Sequence, residues 1–178
     1  SGPSVAQFDI LHWTAGSAAG ALLAWRRYRS ARDEPHRRAA AWFLAGTVFQ
    51  LLGQLLWDVE AWIGWMPFPA PSDLFYLALG PALAVGMGLI ARDRLPAGVW
   101  QTARLDALAV LVAVLVGTMT LFLPRQGNYS LFQILVLAAY PLSLMAPGCL
   151  GLILVLTLRA RPDWRALLLP LSAIAFAI

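Results

Sequence analysis

Long apolar segments constrain the fold of this chain more than any other feature. Six of them follow one another along the sequence, at residues 8–25, 39–65, 73–91, 105–123, 131–158 and 166–178. A helix of about 20 apolar residues crosses a hydrocarbon core roughly 30 Å thick, and every segment but the last approaches or exceeds that length. The sequence therefore predicts an all-α fold, a polytopic integral membrane bundle of about six transmembrane helices.

The composition agrees with a membrane protein. Hydrophobic residues make up 60% of the chain and charged residues only 12%, which is far from the balance of a soluble domain. Residues 1–178 are predicted to form a single transmembrane helical domain. Because the last apolar segment is too short to span a bilayer, we expect this domain to be truncated at its C-terminal end.

The arginines predict an orientation for the bundle. All 13 basic residues are Arg, and all but Arg125 lie in alternate connections, at residues 26–38, 92–104 and 159–165. The positive-inside rule assigns such connections to the cytoplasm, which puts the N-terminus outside. We therefore predict a multi-pass membrane protein, whose basic charge reflects topology and not nucleic-acid binding.

Motifs of soluble enzymes are absent from the sequence. It contains no phosphate-binding loop, no H-E-x-x-H and no nucleophile elbow. The single Cys149 cannot form an intramolecular disulfide. A metal site from His12, Asp58 and Asp73 is conceivable, but no ligand-spacing motif supports it. We predict no catalytic residues, no metal and no cofactor within this chain.

A polar stripe near the end of the second segment is the candidate binding site. Gln50, Gln54 and Asp58 are spaced four residues apart, so they share one face of a helix. Such a stripe must face protein or water because lipid offers it no partner. Together with Trp57 and Tyr76, these residues are predicted to line a ligand-binding cavity. The alternative is that Asp58 simply reaches the lipid headgroups.

Three further polar residues lie near this stripe. Glu60 lies about 200° around the helix from Asp58, so we expect it to face the headgroups or a different neighbour. Either Ser72 or Asp73 is expected to cap the third helix, where a side-chain oxygen accepts from free N–H groups and a negative charge is favoured.

Small residues in the third segment predict how it packs. Gly80, Ala84 and Gly88 continue the spacing of four residues that begins at Tyr76. A ridge of this kind lets another helix approach closely in lipid. We therefore predict that the second and third helices pack together through this ridge.

One stretch of the sequence resembles a known family. The helix end LLWDVEAW, which contains Trp57 and Asp58, is followed by PSDLFYLALGPALAVGMGLI and the basic ARDR. This combination resembles the N-terminal multi-helix membrane sensor region of bacterial GGDEF/EAL cyclic di-GMP signalling proteins. The resemblance implies a sensor module of the bacterial inner membrane, whose cyclic-nucleotide chemistry belongs to a C-terminal cytoplasmic signalling domain.

Three classes of function are compatible with these features. We predict a membrane-embedded sensory or signal-input domain that binds a small ligand or senses membrane state. A small transporter is the first alternative, and a membrane scaffold or membrane-bound enzyme is the second. The expected partners are the lipid bilayer, a small-molecule ligand and the cytoplasmic output domain, and a second copy of the chain is a further candidate.

Overall fold

Helices account for all regular secondary structure in the part of the chain that the structure describes. The computed structural model describes residues 3–122 and 129–157, with side chains for residues 10–120 and 129–156. Five helices lie within these ranges: α1 (Pro3–Ser30), α2 (Glu34–Ile63), α3 (Pro71–Arg94), α4 (Ala97–Phe122) and α5 (Leu131–Thr157). The prediction of an all-α fold is confirmed for these residues.

Four of the described helices are long and apolar enough to cross a membrane. They are α2, α3, α4 and α5. Helix α1 has 28 residues but does not meet the same criterion. The sixth predicted segment, residues 166–178, lies outside the described residues. A membrane-associated helical protein is therefore supported, whereas six spans and an outside N-terminus stay predictions.

The burial pattern of the bundle also suits a membrane. Most buried apolar residues are alanines, including Ala39, Ala82 and Ala138, whereas large side chains such as Leu105 and Val116 are exposed. Lipid tails are as apolar as leucine, so membrane helices gain little by hiding large side chains and associate through close packing of small ones. The surface of this bundle is consequently suited to lipid contact.

The helices pack in the lateral order α1, α2, α3, α5, α4. The most extensive contact joins α2 to α3, while α1 packs on α2 and α5 packs on both α3 and α4. Short connections at residues 31–33, 64–70 and 95–96 make α1 to α4 alternate in direction. We call the end that holds Asp58, Glu60 and Asp73 the carboxylate end, and the opposite end the arginine end.

The glycines of α3 contact other helices than the sequence predicted. A methyl group on Gly80 would overlap the backbone carbonyl of Ser143 in α5, and one on Gly88 would lie 3.6 Å from Trp100 in α4. The ridge therefore faces α5 and α4 at these positions, and the prediction that it joins the second and third helices is wrong. The glycines of the α2–α3 contact are instead Gly46, Gly53 and Gly86.

The connection between α2 and α3 places the carboxylate end. Gly64 ends α2 in the left-handed region at φ 70°, which glycine adopts without steric cost. The N–H of Trp65 donates to the carbonyl of Glu60 at 3.0 Å, as in a Schellman motif. Pro71 is the first residue of α3, where its missing N–H costs nothing. The last turn of α2 therefore lies beside the first turn of α3.

Candidate functional site

Polar side chains from four helices meet at the carboxylate end. We call this set the carboxylate cluster. Because the end of α2 lies beside the start of α3, polar residues at both termini come within hydrogen-bond distance, and α1 and α5 each contribute one more. Its members are Thr14 from α1, Gln54, Asp58 and Glu60 from α2, Ser72, Asp73 and Tyr76 from α3, and Tyr140 from α5.

Asp58 lies in the middle of a hydrogen-bond chain that crosses three helices. Its Oδ1 accepts from Gln54 Nε2 at 2.7 Å, and its Oδ2 accepts from Thr14 Oγ1 at 2.6 Å. The hydroxyl of Tyr76 donates to Gln54 Oε1 at 3.0 Å. Gln54 is only 5% exposed, so its amide depends on these protein partners. The chain from Thr14 to Tyr76 thus joins α1, α2 and α3.

Three of the five predicted site residues take part in this chain. Gln54, Asp58 and Tyr76 are joined directly. Gln50 and Trp57 are both half-buried, but neither side chain forms a hydrogen bond within residues 10–120 and 129–156. The spacing of four residues correctly aligned Gln54 with Asp58. From Gln54 the hydrogen-bond chain continues to Tyr76 in α3 and not along α2 to Gln50.

Glu60 forms a second, more deeply buried contact between α2 and α3. Its Oε1 accepts from the backbone N–H of Ser72 at 3.2 Å, and its Oε2 accepts from Ser72 Oγ at 2.7 Å. Glu60 is 4% exposed and Ser72 is 1% exposed. Glu60 was expected to face either the headgroups or a different neighbour, and in the structure it contacts a different neighbour, Ser72. This carboxylate serves the free N–H groups at the start of α3.

Asp73 connects the start of α3 to α5. Its Oδ2 accepts from the backbone N–H of Ala70 at 2.7 Å, and its Oδ1 accepts from the hydroxyl of Tyr140. Ala70 is the N-cap residue of α3, so Asp73 satisfies the N–H of that residue from the third helical position. The expectation that Ser72 or Asp73 is the cap residue is wrong, because the helix begins at Pro71. Asp73 instead stabilises the helix start from inside its first turn and also binds a neighbouring helix.

The three carboxylates have neutral partners. Each of their six oxygens accepts a hydrogen bond from a hydroxyl, an amide or a backbone N–H. None of the three forms an ion pair within the described part of the chain. Closely spaced negative charges without cationic partners attract cations and hydrogen-bond donors. The cluster is therefore suited to recognition of a cationic or donor-rich group.

Sequence reasoning missed the cluster members Thr14, Glu60, Ser72, Asp73 and Tyr140 as site residues. A hydroxyl within an otherwise apolar helix was an available signal for Thr14 and Tyr140, because such groups need a partner in lipid. The helix start at PSD was a signal for Ser72 and Asp73. Nothing in the sequence identified Glu60 as the partner of Ser72, since that contact depends on the path of residues 64–70.

Comparisons with protein-family models, with curated proteins and with solved structures found no match. The resemblance to GGDEF/EAL sensor regions accordingly stays a prediction.

Proposed function

We propose that this chain is a membrane-embedded sensory or signal-input domain. The carboxylate cluster receives the signal, either by binding a small ligand or by responding to the state of the membrane. The helices pass the resulting shift to a cytoplasmic output domain outside residues 1–178. The observation that carries this proposal is the hydrogen-bond chain from Thr14 through Asp58 and Gln54 to Tyr76.

The chemistry of the cluster favours a small cationic or donor-rich ligand. Asp58 has neutral partners in two helices, Gln54 in α2 and Thr14 in α1. A ligand that donates to this carboxylate competes with these partners and so changes how α1 and α2 are held together. A ligand can shift a conformational equilibrium only through such a difference in affinity between states.

A transporter is a less well supported alternative. Substrate sites of secondary transporters lie near the middle of the bilayer, at discontinuous helices. The carboxylate cluster instead involves the last turns of α2 and the first turns of α3. A site close to one membrane surface suits reception of a signal better than passage of a substrate.

The proposed membrane arrangement has about six spans in this chain, an outside N-terminus and the arginine end in the cytoplasm of a bacterial cell. A cytoplasmic output domain then requires one further span after the sixth, because an even number of spans returns the chain to the outer side. In this arrangement, residues 64–70 lie on the outer side of the inner membrane. A cysteine at Ala70 in a Cys149→Ser background is expected to react with a membrane-impermeant maleimide added to intact cells. A cysteine at Ala31, in the arginine-rich connection, should react only after the cells are opened. The reverse pattern would contradict the proposed orientation.

Asp58→Asn is expected to abolish the response of the full-length protein to its signal. The amide keeps the shape of the carboxylate and an oxygen acceptor for Gln54 but removes the negative charge. The response is measured as cellular cyclic di-GMP while external pH, divalent cations, polyamines and osmolarity are varied in turn. Wild type should respond to at least one of these conditions, and the variant to none, at equal protein amounts in the membrane.

The matched control for this experiment is Asp106→Asn. Asp106 is an exposed carboxylate on α4, on the turns nearest the arginine end, so its neutralisation removes the same charge far from the cluster. This control should respond as wild type does. An Asp58→Asn protein with an unchanged response would show that the charge of Asp58 does not receive the signal, and a wild type that responds to no condition would also count against the proposal.

A further inference from the structure

Four arginines in the last turns of α1 and just after its end form an exposed surface without acidic partners in the described part of the chain. We call them the α1 arginine surface: Arg26, Arg27, Arg29 and Arg32. All four are exposed, and none forms an ion pair within the described part of the chain. Like charges this close repel one another, so an anion supplied from outside the protein would stabilise this surface.

The two acidic residues that directly follow Arg32 in the sequence are bound to other groups. Glu34 pairs with Arg37 at 2.6 Å and with Arg38 at 3.0 Å. Asp33 accepts from both the backbone N–H and the ring of His36, and these hydrogen bonds lower the pKa of the Asp33 carboxyl. Both carboxylates therefore serve the start of α2. The arginine-rich connection consists of a neutralised half on α2 and an uncompensated half on α1.

Tryptophan rings lie beside arginines at the arginine end of the bundle. The guanidinium of Arg29 lies 5.5 Å from the centre of the Trp25 ring, within range of a cation–π contact. Arg104 lies 5.8 Å from the Trp100 ring at the arginine end of α4. Tryptophan favours the headgroup level of a bilayer. Among the five described helices, α1 packs on α2 at the edge, so its arginines at this level are open to lipid on the side away from α2.

We infer that the α1 arginine surface binds the phosphate groups of anionic phospholipids, in the leaflet at the arginine end of the bundle. A guanidinium donates two parallel hydrogen bonds to a phosphate. A zwitterionic lipid offers the same phosphate, but its own ammonium offsets the charge. This surface lies at the end of the bundle opposite the carboxylate cluster and does not depend on the function proposed for that cluster.

The test compares two variants that each remove two arginine charges. Purified protein in a neutral detergent is titrated with phosphatidylglycerol or with phosphatidylcholine of identical acyl chains, and bound lipids are counted by native mass spectrometry. Wild type should prefer phosphatidylglycerol. Arg26→Gln with Arg27→Gln should weaken phosphatidylglycerol binding about thirtyfold, which is about 1 kcal/mol per arginine. Arg37→Gln with Arg38→Gln should weaken it less than about threefold, because Glu34 already binds both.

Three results would overturn the inference. The first is an equal loss of phosphatidylglycerol binding in the two double variants, and the second is equal binding of the two lipids by wild type. The third is displacement of phosphatidylglycerol by an equal concentration of glycerol phosphate, which would identify a soluble phosphate as the occupant. Thermal unfolding verifies that each variant is folded. If the variant that replaces Arg26 and Arg27 does not fold, the salt dependence of lipid binding by the wild type is the test. Added salt should weaken binding of phosphatidylglycerol but not of phosphatidylcholine. Equal salt sensitivity for the two lipids would refute the inference.

Discussion

Replacing Gly80 with alanine is expected to lower the free energy of unfolding by about 3 kcal/mol. The added Cβ would overlap the backbone carbonyl of Ser143 and lie 2.7 Å from the Ser143 Cβ. Because the obstacle is backbone and not the end of a flexible side chain, α3 and α5 must move apart. The hydrogen bond from Tyr140 to Asp73 crosses the same interface and should weaken as well. Unfolding of the purified protein in mixed micelles of mild detergent and sodium dodecyl sulfate measures the loss.

The same substitution at two other glycines provides matched controls. At Gly88 the nearest atom to a new Cβ is Trp100 Cη2 at 3.6 Å, an ordinary contact. At Gly16 no atom of the described residues, apart from its own stretch of helix, lies within 4 Å. Gly88→Ala and Gly16→Ala should therefore change the free energy of unfolding by less than about 1 kcal/mol, and alanine's better helix propensity favours a small gain. Equal stability of the Gly80 and Gly88 variants would show that α3 and α5 are not in close contact at Gly80.

Replacing Glu60 with alanine is also expected to lower the free energy of unfolding by about 3 kcal/mol. The change leaves the N–H and the hydroxyl of Ser72 without their acceptors, and Ser72 is only 1% exposed. A buried donor without a partner costs about 1–3 kcal/mol. Glu60→Gln retains an acceptor oxygen and should cause a smaller loss. The neighbouring Val59 is 51% exposed, so Val59→Ala is the control and should cost less than about 1 kcal/mol.

A double-mutant cycle separates this contact from general disruption of α2. Ser72→Ala removes the hydroxyl donor, and the double variant removes both partners. Because the two side chains share one contact, the loss in the double variant should be smaller than the sum of the single losses by at least about 1 kcal/mol. Additive losses would mean that Glu60 stabilises the protein through groups other than the Ser72 hydroxyl.

The positions of the helices could be predicted closely from local patterns. The predicted segments 73–91 and 131–158 correspond to α3 (Pro71–Arg94) and α5 (Leu131–Thr157). The largest difference is at α4, which begins at Ala97 although its apolar run begins at residue 105. A helix continues wherever its backbone hydrogen bonds are satisfied, and exposed polar residues such as Arg104 and Asp106 do not interrupt it. Apolar runs therefore indicate the membrane-embedded part of a helix and not its full length.

The candidate site could be predicted along α2 and for Tyr76 of α3, whose hydroxyl donates to Gln54, but not for its other members. Helical periodicity aligned Gln54 with Asp58, and the hydrogen bond between them at 2.7 Å agrees with it. The contacts between helices, from Glu60 to Ser72 and from Asp73 to Tyr140, were not predictable in this way. Their partners are 12 and 67 residues apart in the sequence, and periodicity carries no information over such separations.

By itself, the sequence determined the membrane class and the concentration of arginines in alternate connections, because apolar length and charge placement act locally on each segment. Only the tertiary structure decided which helices are neighbours. In lipid every apolar helix face is equally well solvated, so the choice of partner depends on how closely backbones can approach and on which polar groups find acceptors. That is why Gly80 packs against α5 and not α2, and why the carboxylate of Glu60 is buried on Ser72.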